Sequence, residues 1–204
     1  MEKKDRVVCL MGRKLGMTQL FDEKSVFVAV TAIEVEACPV TAVRSDAKDG
    51  YDAIQIAAGL LAKPGRCCQA TEGSFKKLGL APHRYLKEFC VQDSSLYAVG
   101  DIMELSLLQE GGCVDVRGIT KGRSFQGVVK RYGFSGGPGA HGSMFHRRGG
   151  SFGMREEPGR VYRGRKMPGH MGAVTRTLQS LEIVKICVDE GILFVKGSVV
   201  GPRG

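Results

Sequence analysis

SVFVAVTAIEVE, residues 25–36, is the stretch that decides the fold class. It is rich in β-branched side chains and alternates between apolar and polar residues toward its end, as a strand with one fully buried face does. Residues 17–21 precede it, and the polar residues Asp22-Glu23-Lys24 between them favour a turn. We therefore expect two consecutive strands joined by a turn.

Turn sequences elsewhere in the chain indicate where further strands pair. Asp49-Gly50 and Asp189-Glu190-Gly191 each separate two apolar runs, and glycine adopts positive φ there at little cost. The runs on either side should pair antiparallel, and short strands with close turns indicate a small antiparallel barrel or sandwich. The predicted strands are residues 40–44, 53–57, 102–107, 113–118, 181–188 and 192–196.

Two short helices are predicted between the strands. Residues 69–78 have helical character, and Gly79 is placed to end that helix, within a small α-containing insertion. Residues 124–132 form a second short helix, docked at the root of a basic segment. Its apolar face should carry Phe125, Val128, Val129 and Tyr132.

The positive charge of the chain is concentrated in residues 117–176. This window contains 13 Lys and Arg against only Glu156 and Glu157, whereas the remaining residues hold 17 against 19. It also contains 15 of the 29 glycines and few long apolar runs. Such a segment buries too little surface to offset its backbone entropy and self-repulsion, so we expect it to need a polyanion to become ordered.

Residues 133–166, which we call the finger, show no helical or strand periodicity. If its 34 residues leave and return as an extended loop, half of them reach on the order of 50 Å. Arg outnumbers Lys ten to three in the window, and Arg favours bidentate phosphate contacts and stacking on bases. Aromatic residues interleave with the cations, which indicates a peptide moulded to folded RNA; they are Phe134, Phe145, Phe152 and Tyr162.

Catalytic and cofactor sites are not indicated. Residues 137–142 match G-x-G-x-x-G, but no apolar strand precedes them and no helix is predicted to follow. Residues 159–164 lack the Lys and Ser/Thr of a phosphate-binding loop. The histidines of the window have no nearby Cys and few carboxylates, so no metal or general-base site is expected and no cofactor is predicted.

The chemistry of the remaining residues favours an intracellular protein. Seven cysteines at irregular spacing contain no C-x-x-C pair, so they are interpreted as reduced residues of the core. No run approaches the roughly 18 apolar residues of a membrane span, and the first six residues lack the apolar core of a secretory signal. We expect a soluble, cytoplasmic protein with no membrane partner and no small-molecule substrate.

Several long strings resemble the bacterial form of the large-subunit ribosomal protein L3 family. The similarity extends from about residue 8 to residue 201, nearly the whole chain. The strings are GRKLGMTQLF (residues 12–21), VDVRGITKGRSFQGVVKR (114–131), HG (141–142), HR (146–147), GGSFG (149–153) and PGRVYRGRKMPGHMG (158–172).

This resemblance implies a mainly β fold, a closed six-stranded antiparallel barrel of the translation-protein type with a small α/β insertion and a long extended basic loop. It also implies a non-enzymatic constituent of the large ribosomal subunit that supports early assembly and sends the finger toward the peptidyl transferase centre. Its partners would be large-subunit ribosomal RNA and neighbouring ribosomal proteins. The implied domains are barrel residues 1–59, 99–120 and 177–204, the insertion 60–98, and the basic arm 121–176.

One residue departs from the family pattern. Some bacterial relatives carry a glutamine at the finger tip that is methylated after translation, whereas this chain has Glu156. A glutamate cannot receive that amide methylation, and its negative charge lies near RNA unless a cation such as Arg155 offsets it. We therefore do not transfer the modification to this chain.

The expected RNA contacts come from cations and histidines. Two alternatives stay open. One is an RNA-modifying or nucleotide-dependent enzyme, which a turnover assay would test; the other is a free-standing RNA chaperone with a mobile arm, which sedimentation with large subunits after a high-salt wash would test. The candidate RNA-binding residues are Arg13, Lys14, Arg117, Lys121, Arg123, Lys130, Arg131, His141, His146, Arg147, Arg148, Arg155, Arg160, Arg163, Arg165, Lys166, His170 and Arg176.

Overall fold

The computed structural model describes residues 7–21, 25–61 and 67–204. The turn predicted at Asp22-Glu23-Lys24 lies outside these residues. In chain order the elements are β1 (Gly12–Phe21), β2 (Phe27–Val35), β3 (Cys38–Arg44), α1 (Asp46–Asp49), β4 (Ala53–Leu60), α2 (Gln69–Leu78), β5 (His83–Cys90), β6 (Ile102–Met103), β7 (Cys113–Ile119), β8 (Phe125–Gln126), α3 (Val128–Tyr132), β9 (Gly169–His170), β10 (Thr175–Cys187) and β11 (Ile192–Lys196).

The fold is mainly β, and its strands form three open sheets within the described residues. Their orders are β1–β2–β11–β10–β7, β5–β4–β3–β6 and β8–β9. The prediction of a closed six-stranded barrel is therefore wrong. A barrel closes only when its edge strands pair with each other. Here β3 follows β2 after two residues and pairs with β4 and β6 instead, so β1 and β7 stay at the edges of the five-stranded sheet.

The described residues divide into two compact units. The first unit comprises the described parts of Met1–Val116 together with Leu178–Val199 and Arg203–Gly204. The second unit comprises Arg117–Thr177 and Val200–Pro202, and thus contains almost all of the cation-rich window.

One buried apolar cluster of the first unit lies on the second sheet. Ile54 and Ile56 of β4 are fully buried, and they cluster with Val40, Tyr97 and Met103. Tyr97 satisfies its phenol by donating a hydrogen bond to the carbonyl of Val7 at 3.0 Å. Buried apolar side chains therefore provide the stabilisation of this unit, and its buried hydroxyl has a partner.

The two hairpins predicted from turn sequences are confirmed. β3 and β4 pair antiparallel with Arg44 opposite Ala53, and Gly50 between them has a φ of 82°. β10 and β11 pair antiparallel with Cys187 opposite Ile192, next to Gly191 with a φ of 66°. Glycine is favoured at both turns because these φ values strain other residues.

The predicted helix at residues 69–78 is confirmed, and Gly79 ends it in the left-handed conformation. Two other predictions of local structure are wrong. Strand β6 stops at Met103 and a 3₁₀ turn occupies Leu105–Leu107. The helix expected at residues 124–132 begins only at Val128, because Phe125–Gln126 pairs as β8 with β9. A strand, β5, accompanies α2 in the segment expected to be an α/β insertion, and it pairs with β4 from His83 to Cys90.

The cysteines are only partly core residues. Cys9 and Cys38 are buried as predicted, and burial raises the pKa of the Cys9 thiol to about 11. Cys68, Cys90 and Cys113 are exposed, so the core interpretation is wrong for these three. Cys90 and Cys113 lie on solvent-facing positions of β5 and β7, and Cys68 immediately precedes helix α2.

Candidate nucleic-acid interface

The basic arm begins with a two-stranded stem formed by residues 120–126 and 169–174. The backbone N–H of Thr120 donates to the carbonyl of Val174 at 3.0 Å, and that of Arg123 donates to Met171 at 2.8 Å. Met171 returns a hydrogen bond to the carbonyl of Ser124 at 2.9 Å, and β8–β9 pairing follows. This ladder could not be predicted from the sequence, since each strand is short and carries no alternating pattern.

A glycine is required where the stem strands approach most closely. Gly172 has a φ of +77°, and a Cβ at this position would lie 2.2 Å from the carbonyl oxygen of Lys121. Both the backbone conformation and the contact exclude a side chain there. The stem therefore owes its close spacing to Gly172.

Helix α3 follows the stem and is anchored by Val128, which is 2% exposed. Gly133 ends the helix with a φ of 74°. The guanidinium of Arg131 donates a hydrogen bond to the carbonyl of Met167 at 2.8 Å and lies 5.0 Å from the centre of the Tyr132 ring. The ammonium of Lys166 lies 5.8 Å from the same ring. Two predicted site residues, 35 positions apart in the sequence, thus meet at one aromatic side chain.

The finger contains no helix or strand, yet local hydrogen bonds shape it. The N–H of Gly137 donates to the carbonyl of His146 at 2.7 Å, and that of Arg148 donates to Phe145 at 3.0 Å. Farther along, the guanidinium of Arg165 donates to the carbonyl of Ser151 at 2.7 Å. The finger is thus a series of turns, and glycine-rich sequence allows its backbone to fold back closely.

Most cations of the second unit have no partner in the part of the chain that the structure describes. Arg131, Arg165 and Lys166 make the internal contacts given above, which leaves ten of the 13 Lys and Arg without a side-chain hydrogen bond, ion pair or ring contact. All ten are exposed. They are Arg117, Lys121, Arg123, Lys130, Arg147, Arg148, Arg155, Arg160, Arg163 and Arg176.

The other candidates divide between the units. His141, His146 and His170 are exposed in the second unit, as are the carboxylates of Glu156 and Glu157, which form no ion pair among the described residues. Arg13 and Lys14 lie in the first unit, where the protein itself satisfies them.

The guanidinium of Arg13 lies 2.7 Å from the Glu34 carboxylate, and this hydrogen bond and charge raise the pKa of Arg13. The ammonium of Lys14 donates to the carbonyl of Val199 at 2.6 Å. The structure therefore does not group these two side chains with the unpartnered cations.

Aromatic side chains also form part of the candidate RNA-binding surface, although the candidate residues predicted from the sequence are all cations or histidines. Tyr162 is 58% exposed and lines an open cleft of about 530 Å³ with Arg160, Val161 and Arg163. Phe134 and Phe145 line a second cleft of about 510 Å³ that also includes Arg148. The interleaving of rings and cations was the sequence signal for these residues.

The described residues hold no group of three or more His, Cys, Asp or Glu side chains placed to bind a metal ion. None of their helices has the length and apolar character needed to span a bilayer. The arrangement offers unpaired positive charge, exposed rings and close-approaching glycine backbone, the combination that binds a folded polyanion with bases.

Comparisons with known proteins agree with this chemistry. A family described as Ribosomal protein L3 matches residues 98–192. The large ribosomal subunit protein uL3 of Alkaliphilus metalliredigens is 46% identical over 95% of this chain and 92% of its own length. The uL3 proteins of Brachyspira pilosicoli and Brachyspira hyodysenteriae are 45% and 44% identical, each over 96% of this chain and 89% of their own length.

Proposed function

This chain belongs to the ribosomal protein L3 family, and from that premise we propose that its basic arm is the part that binds large-subunit ribosomal RNA. The protein is a structural constituent of the large ribosomal subunit and not an enzyme. Its partners are ribosomal RNA and ribosomal proteins.

One observation carries the assignment of RNA binding to the arm. No cation of the second unit forms an ion pair in the described structure, whereas four of the first unit do; Arg44 and Lys196, for example, lie 3.1 and 2.6 Å from the carboxylates of Asp49 and Glu182. Unpaired cations clustered on a glycine-rich segment repel each other, and phosphates relieve that repulsion while counterions are released.

We further propose a role for each segment of the chain. Residues 1–59, 99–120 and 177–204 form the sheet-bearing body, residues 60–98 are an insertion, and residues 121–176 are the RNA-binding arm. The finger extends toward the peptidyl transferase centre, and early RNA binding by the arm supports assembly of the subunit. The candidate cations and histidines act as phosphate and base contacts, with Arg131, Arg165 and Lys166 also shaping the arm.

Sedimentation of large subunits after a high-salt wash tests this function. An arm enclosed by folded RNA stays with the particle at salt concentrations that remove proteins bound only at the surface. We expect the protein to remain in the washed subunit at one copy per particle. Quantitative release into the supernatant would instead support a free-standing chaperone with a mobile arm.

A further inference from the structure

An open cleft on the surface of the finger lies next to Gly133, the residue that ends helix α3. It has a volume of about 510 Å³, within the roughly 300–1,000 Å³ of ligand pockets. The segment 133–136, with Phe134, forms one part of the lining, and Phe145 with residues 148–150 forms the other. Phe134 and Phe145, 11 positions apart in the sequence, thus contribute one aromatic ring each from two chain segments.

Backbone contacts hold the Phe145 ring in place. A Cβ on Gly137 would lie 2.3 Å from the Cδ1 of Phe145, so the ring packs directly on the glycine backbone. The hydrogen bond from Gly137 to the carbonyl of His146 fixes this approach. Nevertheless 41% of Phe145 remains exposed. The Phe145 ring is therefore held in place by packing and still has an exposed surface on which a second ring can stack.

The charged and polar groups that line the cleft indicate which kind of ligand it binds. Arg148 is the charged side chain of the lining, it is exposed, and the lining residues include no carboxylate. Apart from the two rings, the remaining lining residues are glycines and Ser135, so little side-chain bulk covers their backbone. A planar, uncharged ring attached to a phosphate fits this lining. The ring stacks on the Phe side chains and hydrogen-bonds to the backbone, and the phosphate pairs with Arg148.

We propose that this cleft holds one unstacked nucleobase of large-subunit ribosomal RNA, with Phe134 and Phe145 against the base and Arg148 on an adjoining phosphate. The proposal rests on the proposed function, since it specifies which part of the RNA one site of the arm takes. Stacking on exposed rings is how proteins hold bases that leave an RNA helix.

Ultraviolet crosslinking of purified large subunits, followed by mass spectrometry of peptide–nucleotide adducts, tests the proposal. The variants are Phe145→Leu, which keeps an apolar side chain but removes the stacking ring, and Arg148→Gln. Lys77→Gln is the control, because it removes the same charge from an exposed residue of the first unit that neither lines the cleft nor belongs to the proposed RNA-binding arm. A parallel experiment titrates the isolated protein with adenosine and uridine monophosphates.

We expect a single nucleotide crosslinked to Phe134 or Phe145, with a yield reduced roughly tenfold by Phe145→Leu or Arg148→Gln and less than twofold by Lys77→Gln. If these variants enter subunits normally and the adduct is absent or unchanged, the cleft proposal is overturned while the proposed function stands. Saturable binding of free monophosphates at micromolar concentration would identify a free nucleotide as the ligand and overturn it too. Failure of the unaltered protein to enter subunits would overturn the proposed function itself.

Discussion

Arg131 donates a hydrogen bond from its Nη1 to the carbonyl oxygen of Met167 at 2.8 Å, joining helix α3 to the chain as it returns from the finger. The contact spans 36 positions of sequence and closes the loop directly above the stem. A cation predicted only as an RNA ligand thus also holds the arm together. Arg has five N–H donors, so the remaining donors stay available to phosphate.

Replacing Arg131 by Met should loosen this closure. A hydrogen bond from a charged donor contributes about 1.5 kcal/mol, so the opening equilibrium should rise roughly tenfold. Amide exchange of His170 and Met171 in the free protein measures that equilibrium. Lys130→Met is the control, since Lys130 is exposed and has no side-chain partner in the described structure. Equal exchange in both variants would show that the Arg131 contact does not stabilise the arm.

Gly172→Ala should disrupt the stem more than any change at an open glycine. The added Cβ would meet the Lys121 carbonyl oxygen at 2.2 Å in a left-handed conformation, at a cost of about 2–3 kcal/mol. Trypsin should therefore cut faster after Lys121 and Arg123 in the free protein. Gly139→Ala, with no atom within 4 Å of its Cβ, should leave the rate unchanged. Identical cleavage of the two variants contradicts the prediction.

The electrostatic mechanism predicts a salt dependence that depends on which cations are removed. If about six phosphates are neutralised, the logarithm of the RNA association constant should fall with the logarithm of salt concentration at a slope of about −4 to −5. Replacing Arg155, Arg160 and Arg163 by Gln should flatten that slope by about 2. Filter binding to large-subunit ribosomal RNA measures it.

The control for this experiment removes the same charge from the first unit. Arg44, Lys76 and Lys196 each form an ion pair, so their joint replacement by Gln should change the slope by less than one. A flattening as large as that of the arm variant would mean that net charge, and not the placement of unpaired cations, determines the affinity.

The thiol of Cys68 should react at lower pH than an unperturbed cysteine. Its Sγ lies 2.9 Å from the hydroxyl oxygen of Thr71, and this hydrogen bond lowers the pKa of Cys68. Alkylation by iodoacetamide, followed at the Cys68 peptide as a function of pH, should shift to higher pH in Thr71→Val. Ser74→Ala removes a hydroxyl that bonds instead to the Ala70 carbonyl, and should cause no shift. A Thr71→Val profile that coincides with that of the unaltered protein contradicts the assignment.

Local chemistry made the hairpins and one helix predictable from the sequence. Gly50 and Gly191 lie at turns between apolar runs, and Gly79 ends α2 because it adopts positive φ without strain. These features depend on neighbouring residues alone. The cation-rich window was predictable for the same reason, since charge and glycine content are read directly from composition.

Features that depend on distant residues were not predictable. The spacing of apolar residues predicted a helix that includes Phe125–Gln126. These residues form a strand instead, because they pair with β9, which lies 43 or more residues away in the sequence. The barrel prediction was wrong because sheet closure depends on whether edge strands meet, which no local pattern encodes. The partners of Arg13 and Arg131 could not be predicted from the sequence either, because Glu34 and Met167 are distant from them along the chain.

The central claim is that the finger, residues 133–166, becomes fully ordered only within ribosomal RNA. Hydrogen–deuterium exchange of this segment, compared between the free protein and the assembled large subunit, tests it most directly. We predict rapid exchange across the finger in the free protein while β2 and β4 stay protected, and strong protection of the finger in the subunit. A finger as protected as β2 and β4 in the free protein would contradict the claim.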